Sequence, residues 1–105
     1  MELKETVTMM QSEDYKDRFR AEYWQTKIRY EKLHKMVVKA DAGTLDFEPK
    51  CNIGLLRDQK RLMGEYLYIL ELRAEIEGIT LSLDFEKLKK SFSELASVFG
   101  DKNAK

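Results

Sequence analysis

The sequence predicts an all-α fold, built as a long antiparallel helical hairpin with a short N-terminal segment before it and a third, C-terminal amphipathic helix after it. Two long stretches carry apolar side chains at alternating spacings of four and three residues, which is the repeat of helices that pack along one another. A connector with Gly43 and Pro49 separates them, and Pro49 excludes a continuous helix there. The 105 residues are expected to form a single domain, with the hairpin at 12–78 and the last helix and tail at 79–105.

The first long helix is predicted from about Glu13 to Ala42. Ser12, followed by two acidic residues, is a typical helix start because its hydroxyl can cap backbone amides. Gly43 suits the left-handed conformation that ends many helices. Residues 1–11 are weakly patterned and predict a short element. The face that packs on the second helix is expected to consist of Phe19, Tyr23, Thr26, Tyr30, Leu33, Val37 and Ala40.

The second helix is predicted from a cap at Asn52 to about Glu77, with Gly78 ending it. The row at heptad spacing, expected to face the first helix, is Leu55, Gln59, Leu62, Tyr66, Ile69, Arg73 and Ile76. A second apolar row lies beside it: Leu56, Met63, Leu67, Leu70 and Ala74. The two rows cover about 160° of the helix surface, more than one partner helix can bury. Self-association into a homo-oligomer is expected to cover the remainder.

After the hairpin, residues 79–83 predict a connector that crosses it, and a third helix is predicted at about 84–99. Ser82 or Asp84 can cap that helix. Its apolar face is Phe85, Leu88, Phe92, Leu95 and Phe99. This helix is expected to cover part of the wide apolar face of the second helix.

Composition excludes several classes of protein. The 19 cationic residues equal the 19 acidic ones, which argues against a general or sequence-specific binder of DNA or RNA. One Cys (Cys51) and one His (His34) cannot build a zinc site, no glycine cluster forms a phosphate loop, and no serine lies in a nucleophile elbow. We therefore expect no enzyme, no catalytic residue, no metal and no cofactor. Neither a signal peptide nor a membrane span is recognisable, so a cytoplasmic location without membrane contact is expected.

The charge is unevenly distributed along the chain. Residues 15–40 carry eight cations and three anions, and the same helix is rich in aromatic side chains. At 100° per residue, Tyr15 and Glu22 lie with Arg18 and Arg29 on one flank of the helix. The opposite flank carries Lys16, Arg20, Tyr23, Trp24, Lys27 and His34. Cations neutralise phosphates and aromatic rings stack on nucleobases, so both flanks suit a nucleotide-like ligand.

Each of these features also has an ordinary structural explanation. Tyr23 lies on the packing face, and flanking cations commonly pair with acids on a neighbouring helix. Trp24 lies away from that face, so it is interpreted either as an oligomer contact or as a ligand platform. Arg73 needs an acid, a carbonyl or a bound anion; Glu22 and Glu31 are candidate partners, and a ligand phosphate is the alternative.

Three spaced patterns resemble a family of small phage proteins, the helical-hairpin domain shared by anti-CBASS and anti-Thoeris proteins. The resemblance covers about residues 12–78 and leaves out the helix at 84–99. The patterns are Tyr15-x-x-Arg18-x-x-x-Glu22, Arg29-x-x-Lys32-Leu33-x-x-Met36, and Leu56-x-x-Gln59-x-x-x-Met63-x-x-Tyr66-x-x-x-Leu70-x-x-Arg73-x-x-Ile76.

The resemblance implies a sponge, a phage immune-evasion protein that binds cyclic nucleotide signals of bacterial immunity in the host cytoplasm without cleaving them. The ligand class is cyclic di- or trinucleotides or cyclic ADP-ribose isomers. Such proteins are helical homo-oligomers, often hexamers, with pockets between protomers. By position Tyr15 resembles the residue that stacks on a base, and Lys27 or Arg29 the phosphate contact. With the aromatic and cationic flanks included, the expected ligand-binding residues are Tyr15, Arg18, Tyr23, Trp24, Lys27, Arg29 and Arg73.

Two other functions stay open. A small helical module could inhibit or scaffold a host or phage protein through its apolar surface, Trp24 and Ile28 included. A sequence-independent nucleic-acid binder could use the basic first helix, and would show steep salt dependence with long DNA.

Overall fold

A computed structural model describes residues 1–81 of the chain. Three helices follow in order: α1 (Glu5–Met10), α2 (Tyr15–Ala42) and α3 (Ile53–Glu77). This confirms the all-α fold class and the predicted hairpin of two long helices. The predicted helix at 84–99 lies outside the described residues.

Helix α2 begins two residues later than predicted, because Asp14 and not Ser12 caps it. The Asp14 side chain accepts a hydrogen bond from the Lys16 backbone amide at 2.9 Å. Ser12 instead supports the cap: its hydroxyl accepts from the Asp14 amide at 3.1 Å and donates to Asp17 Oδ2 at 2.9 Å. Both residues are good caps, and the sequence offers no spacing that chooses between them.

The other helix ends were predicted correctly. The Asn52 side chain caps α3 by accepting from the Gly54 amide at 2.6 Å. Gly43 and Gly78 end α2 and α3 with φ angles of 76° and 70°, in the left-handed region that a residue with a Cβ rarely adopts.

The core lies between the two long helices, which run antiparallel since Tyr15 at the start of α2 meets Glu77 at the end of α3. The predicted packing face of α2 is confirmed at its buried positions Phe19, Tyr23, Leu33 and Val37. The N-terminal helix α1 packs on α2. Its one buried residue is Thr6, whose hydroxyl donates to the Leu3 carbonyl at 2.7 Å.

The prediction of which α3 row faces α2 was wrong. The buried row is the second one, with Leu67, Leu70 and Ala74, while the first row is largely exposed to solvent. Both rows have helical spacing, but the first contains Arg73, whose charge cannot be buried without a large desolvation cost. We call the exposed apolar positions of this row the α3 stripe: Leu55, Leu62, Tyr66, Ile69 and Ile76.

Beyond α3 the chain turns back across the hairpin, as predicted for the connector. Ile79 is buried in the core, and the carbonyl of Leu81 accepts a hydrogen bond from Trp24 Nε1 at 2.9 Å. The carbonyl of Thr80 accepts from Arg20 Nε at 2.7 Å. No helix within residues 1–81 is long and apolar enough to cross a membrane.

Candidate functional site

A cluster of polar and aromatic side chains lies where the start of α2 meets the end of α3. The Tyr15 hydroxyl donates to Glu77 Oε1 at 2.8 Å and accepts from Arg73 Nη2 at 2.8 Å. Arg73 Nε donates to Glu77 Oε2 at 3.2 Å. We call these three residues, with Phe19 beneath them, the Tyr15–Arg73 site.

The antiparallel hairpin creates this site from residues far apart in sequence. Tyr15 is the first residue of α2 and Glu77 the last of α3, so the hairpin brings them together. Arg73 precedes Glu77 by four residues and therefore points from the same face of α3. Its guanidinium lies 5.0 Å from the centre of the Phe19 ring, a cation–π contact that restricts its orientation.

The site offers a cation and an aromatic ring side by side on the surface. The Tyr15 ring is tilted by 59° to that of Phe19, with 6.1 Å between ring centres, and the Tyr15 residue is 46% exposed. The side chains of Arg73 and Glu77 are 46% and 33% exposed. The surface is thus open to a flat ring over Tyr15 and to an anion at Arg73.

The hydrogen bonds reinforce the ordinary protonation states of the site. The hydrogen bond to Glu77 raises the pKa of the Tyr15 hydroxyl, which favours its neutral form. The hydrogen bond to the same carboxylate raises the pKa of Arg73 further above its ordinary value. The site therefore presents a neutral hydroxyl and a permanently charged guanidinium.

The partner of Arg73 differs from the predicted candidates. It is Glu77, not Glu22 or Glu31, which are engaged elsewhere. Glu22 accepts a hydrogen bond from the Tyr66 hydroxyl, and this bond raises the pKa of Tyr66. Glu31 Oε1 lies 3.9 Å from Lys27 Nζ. The spacing of four residues between Arg73 and Glu77 is the sequence signal that could have identified this pair.

The α3 stripe continues from this site along the hairpin. Tyr66, hydrogen-bonded to Glu22, lies next to it on the same flank. From Tyr66 a groove runs towards the beginning of α3, with a floor of aliphatic side chains and Gln59 and Asp58 as its polar members. Arg18 lies on this flank as well, where Nη1 donates to the Ser12 carbonyl at 2.7 Å.

Three other predicted site residues lie on or near the opposite flank of α2. Tyr23 is in the core, and its hydroxyl donates to Glu71 at 3.4 Å. Trp24 packs edge-on against Tyr23 and on the returning chain, contacts within the chain that neither interpretation of this residue included. Lys27 is partly buried beside Glu31. Arg29 is exposed on the flank of Arg18.

The structure thus joins Tyr15 to Arg73, places Arg18 and Arg29 on the same flank, and separates Trp24 and Lys27 from them.

Within residues 1–81, no group of three His, Cys, Asp or Glu side chains is placed to hold a metal ion. The free Cys51 is exposed in the connector. Sequence reasoning missed Glu77 and Phe19 as members of the site.

Comparison with known proteins gives one match. The chain matches the family model described as Sequestin over residues 13–76. No curated protein and no solved structure matches the chain significantly. The matched stretch includes α2, the connector and nearly all of α3, and so contains Tyr15 and Arg73 but ends just before Glu77. The match confirms the resemblance carried by the three patterns, and the chain belongs to the Sequestin family, the phage anti-CBASS and anti-Thoeris sponges for cyclic nucleotide signals.

Proposed function

We propose that this protein sequesters a cyclic nucleotide immune signal in the cytoplasm of the infected bacterium without cleaving it. The candidate ligands are cyclic di- or trinucleotides and cyclic ADP-ribose isomers. Membership of the Sequestin family supports the general function. Sequestration requires tight and stoichiometric binding and no chemical step, so a small helical chain is sufficient.

The observation that carries the proposal is the contact between Tyr15 and Arg73. A base stacks on the Tyr15 ring, and a neighbouring phosphate binds the Arg73 guanidinium, whose charge is permanent. Phe19 keeps the guanidinium in place, which lowers the entropy lost on binding. Arg18 and Arg29, on the same flank, add positive charge that attracts the ligand.

We propose further that the ligand pocket is completed by another copy of the chain, in a homo-oligomer such as a hexamer. The α3 stripe supports this proposal, because Leu55, Leu62 and Ile69 are more than half exposed and Ile76 is 82% exposed. Although Gln59 and Arg73 interrupt it, an exposed apolar row of this length is unusual on a monomer surface. Since the stripe borders the Tyr15–Arg73 site, a second chain on the stripe would form a wall of the pocket. Trp24 and Lys27, on the other flank, are candidate contacts contributed by such a neighbour.

The experiment is a thermal-shift screen of the protein against cyclic dinucleotides, cyclic trinucleotides and cyclic ADP-ribose isomers. A ligand present at 100 times its Kd adds about 2.7 kcal/mol to the free energy of unfolding, which is easily measured. We expect a shift with one class of ligand and none with linear DNA. The Arg73→Gln variant should lose the shift, whereas Arg61→Gln, which alters an arginine paired with Asp58 and Glu65 away from the site, should keep it.

If no member of the panel changes the unfolding temperature at micromolar concentrations, the sponge proposal is wrong. If the Arg73→Gln and Arg61→Gln variants bind equally well, the function stands but the site assignment does not.

The α3 stripe also favours a second candidate function, a module that inhibits or scaffolds a host or phage protein. An exposed heptad row can pack on a helix of any partner with a matching apolar face. Light scattering separates the two: the sponge with a shared pocket requires an oligomer of the pure chain. A monomer that binds no cyclic nucleotide would favour the interaction module.

A further inference from the structure

The carboxylate of Glu77 uses both of its oxygens in the Tyr15–Arg73 site. Oε1 accepts from the Tyr15 hydroxyl at 2.8 Å, and Oε2 accepts from Arg73 Nε at 3.2 Å. A phosphodiester also carries one negative charge shared between two oxygens, so it can accept from the same two donors. A phosphodiester therefore has the charge and the acceptor oxygens needed to take the place of the Glu77 carboxylate.

Apart from its ion pair with Arg73, the location of Glu77 in α3 is unfavourable for helix stability. It is the last residue of the helix, where the partial charge of the backbone is negative and an acidic side chain is unfavourable. The last turn contains no basic residue to compensate. Glu75, an exposed acid in the same turn, has the same unfavourable relation to the helix end and lies outside the three-residue hydrogen-bonded cluster.

Glu77 can leave the site without disturbing the core. A third of its side chain is exposed, and Glu77 is the last residue of α3. Rotation of the Glu77 side chain into solvent would free Arg73 Nε and the Tyr15 hydroxyl together. Arg73 would stay in position, because its contact with Phe19 does not involve Glu77.

We propose that Glu77 is an intramolecular competitor that occupies the phosphate position of the Tyr15–Arg73 site and is displaced by the phosphodiester of the ligand. This inference rests on the proposed function, since it names the residue that limits affinity at the same site. Glu77 keeps Arg73 and Tyr15 satisfied in the empty protein and excludes anions too weak to displace a carboxylate. It thereby favours ligands that gain additional energy from base stacking.

The test compares Kd values by isothermal titration calorimetry, with cyclic di-AMP and cyclic GMP–AMP as probes. The proteins are the unaltered chain, Glu77→Gln, Glu75→Gln and the double variant Arg73→Gln/Glu77→Gln, with the unfolding temperature of each as a check of folding. Glutamine retains the size and one acceptor but loses the charge. Exposed ion pairs are weak, so we expect Glu77→Gln to bind about two- to fivefold more tightly. Glu75→Gln, which removes the same charge from the same turn, should bind like the unaltered chain.

The double variant shows whether the gain depends on Arg73. It should lose the gain and bind more weakly than the unaltered chain, because Glu77 acts by occupying Arg73. If the unaltered chain binds a probe and Glu77→Gln binds no more tightly than Glu75→Gln, the inference is overturned while the proposed function stands. If Glu77→Gln binds a probe and the unaltered chain does not, competition by Glu77 is supported and the proposed function fails for that ligand. If none of the four proteins binds either probe, both ideas are rejected for cyclic dinucleotides.

Discussion

Individual tyrosine side chains join the two long helices through their hydroxyls. Tyr15 reaches Glu77, Tyr23 reaches Glu71 and Tyr66 reaches Glu22. In each case an acid on one helix accepts from a tyrosine on the other, and the pKa of that tyrosine is raised. The tyrosines therefore contribute to stability in their neutral form and lose this contribution when they ionise.

We expect the free energy of unfolding to fall in alkaline solution, and Tyr23 to be one cause. Burial raises the pKa of Tyr23, as do Glu71 and Glu31, so the folded chain holds this proton more tightly than the unfolded chain does. The contribution is complete below the unfolded pKa of about 10 and is lost as the pH rises through the folded pKa. Urea unfolding at several pH values should show a smaller alkaline loss for Tyr23→Phe than for the unaltered chain.

A matched variant makes this prediction specific. Tyr68 is exposed on α3, so Tyr68→Phe should leave the alkaline loss unchanged. Equal alkaline losses in the unaltered chain and in Tyr23→Phe would contradict the role assigned to Tyr23.

Buried and exposed leucine side chains of α3 contribute differently to the stability of the fold. Leu70 has no exposed surface and packs with Phe19, Tyr23 and Leu67 in the core. Leu72, two residues along the same helix, is 45% exposed. The same substitution at the two positions therefore separates burial from helix propensity.

Leu70→Ala should lower the free energy of unfolding by about 2–5 kcal/mol, because it removes a buried side chain and leaves a cavity. Leu72→Ala should change it by less than about 0.5 kcal/mol, as is usual for exposed positions. Chemical denaturation followed by circular dichroism measures both values. Similar losses for the two variants would mean that the assignment of the buried row is wrong.

The helices and most of their ends could be predicted from the sequence, because local chemistry determines them. Gly43, Asn52 and Gly78 act at their own positions, whatever the rest of the chain does. The facing row of α3 could not be predicted in the same way, since two rows with helical spacing compete and the choice depends on the packing of the whole hairpin. The cost of burying Arg73 was the physical clue to the correct row.

The site was predicted in part for a similar reason. Tyr15 and Arg73 were both named as candidate ligand-binding residues, one through the family resemblance and one as a cation at an apolar position, and their role in binding stays a prediction. Their contact depends on the register between the two helices, which the sequence does not state. The contacts of Trp24 within the chain were missed because its hydrogen-bond acceptor, the carbonyl of Leu81, lies on the segment that returns after α3.

At the scale of the whole molecule, the hairpin exposes a long apolar row, the α3 stripe, within residues 1–81. The α3 stripe lies on the flank of the Tyr15–Arg73 site, so self-association and ligand binding are expected to be linked. A ligand enclosed by two chains can be held by cations from both, although each chain has no net charge.

Ile69→Glu should therefore reduce the size of the oligomer and weaken ligand binding, because it places a charge in the centre of the stripe. Light scattering measures the size and calorimetry measures the binding. The control is Tyr68→Glu, which adds the same charge at an exposed position of α3 that is not three or four residues from any residue of the stripe. A chain that is monomeric before substitution, or that is unaffected by Ile69→Glu, would contradict a pocket shared between copies along this stripe.

The central claim is that the protein holds a cyclic nucleotide without cleaving it, and mass spectrometry of the free and the bound ligand tests this most directly. The protein, in excess, is incubated with each candidate signal; the free ligand is separated by ultrafiltration, and the bound ligand is then released by heat. The account predicts that one class of signal disappears from the filtrate and is recovered after denaturation with its cyclic structure unchanged. Recovery of a linear or hydrolysed product, or the full amount of every signal in the filtrate, would contradict it.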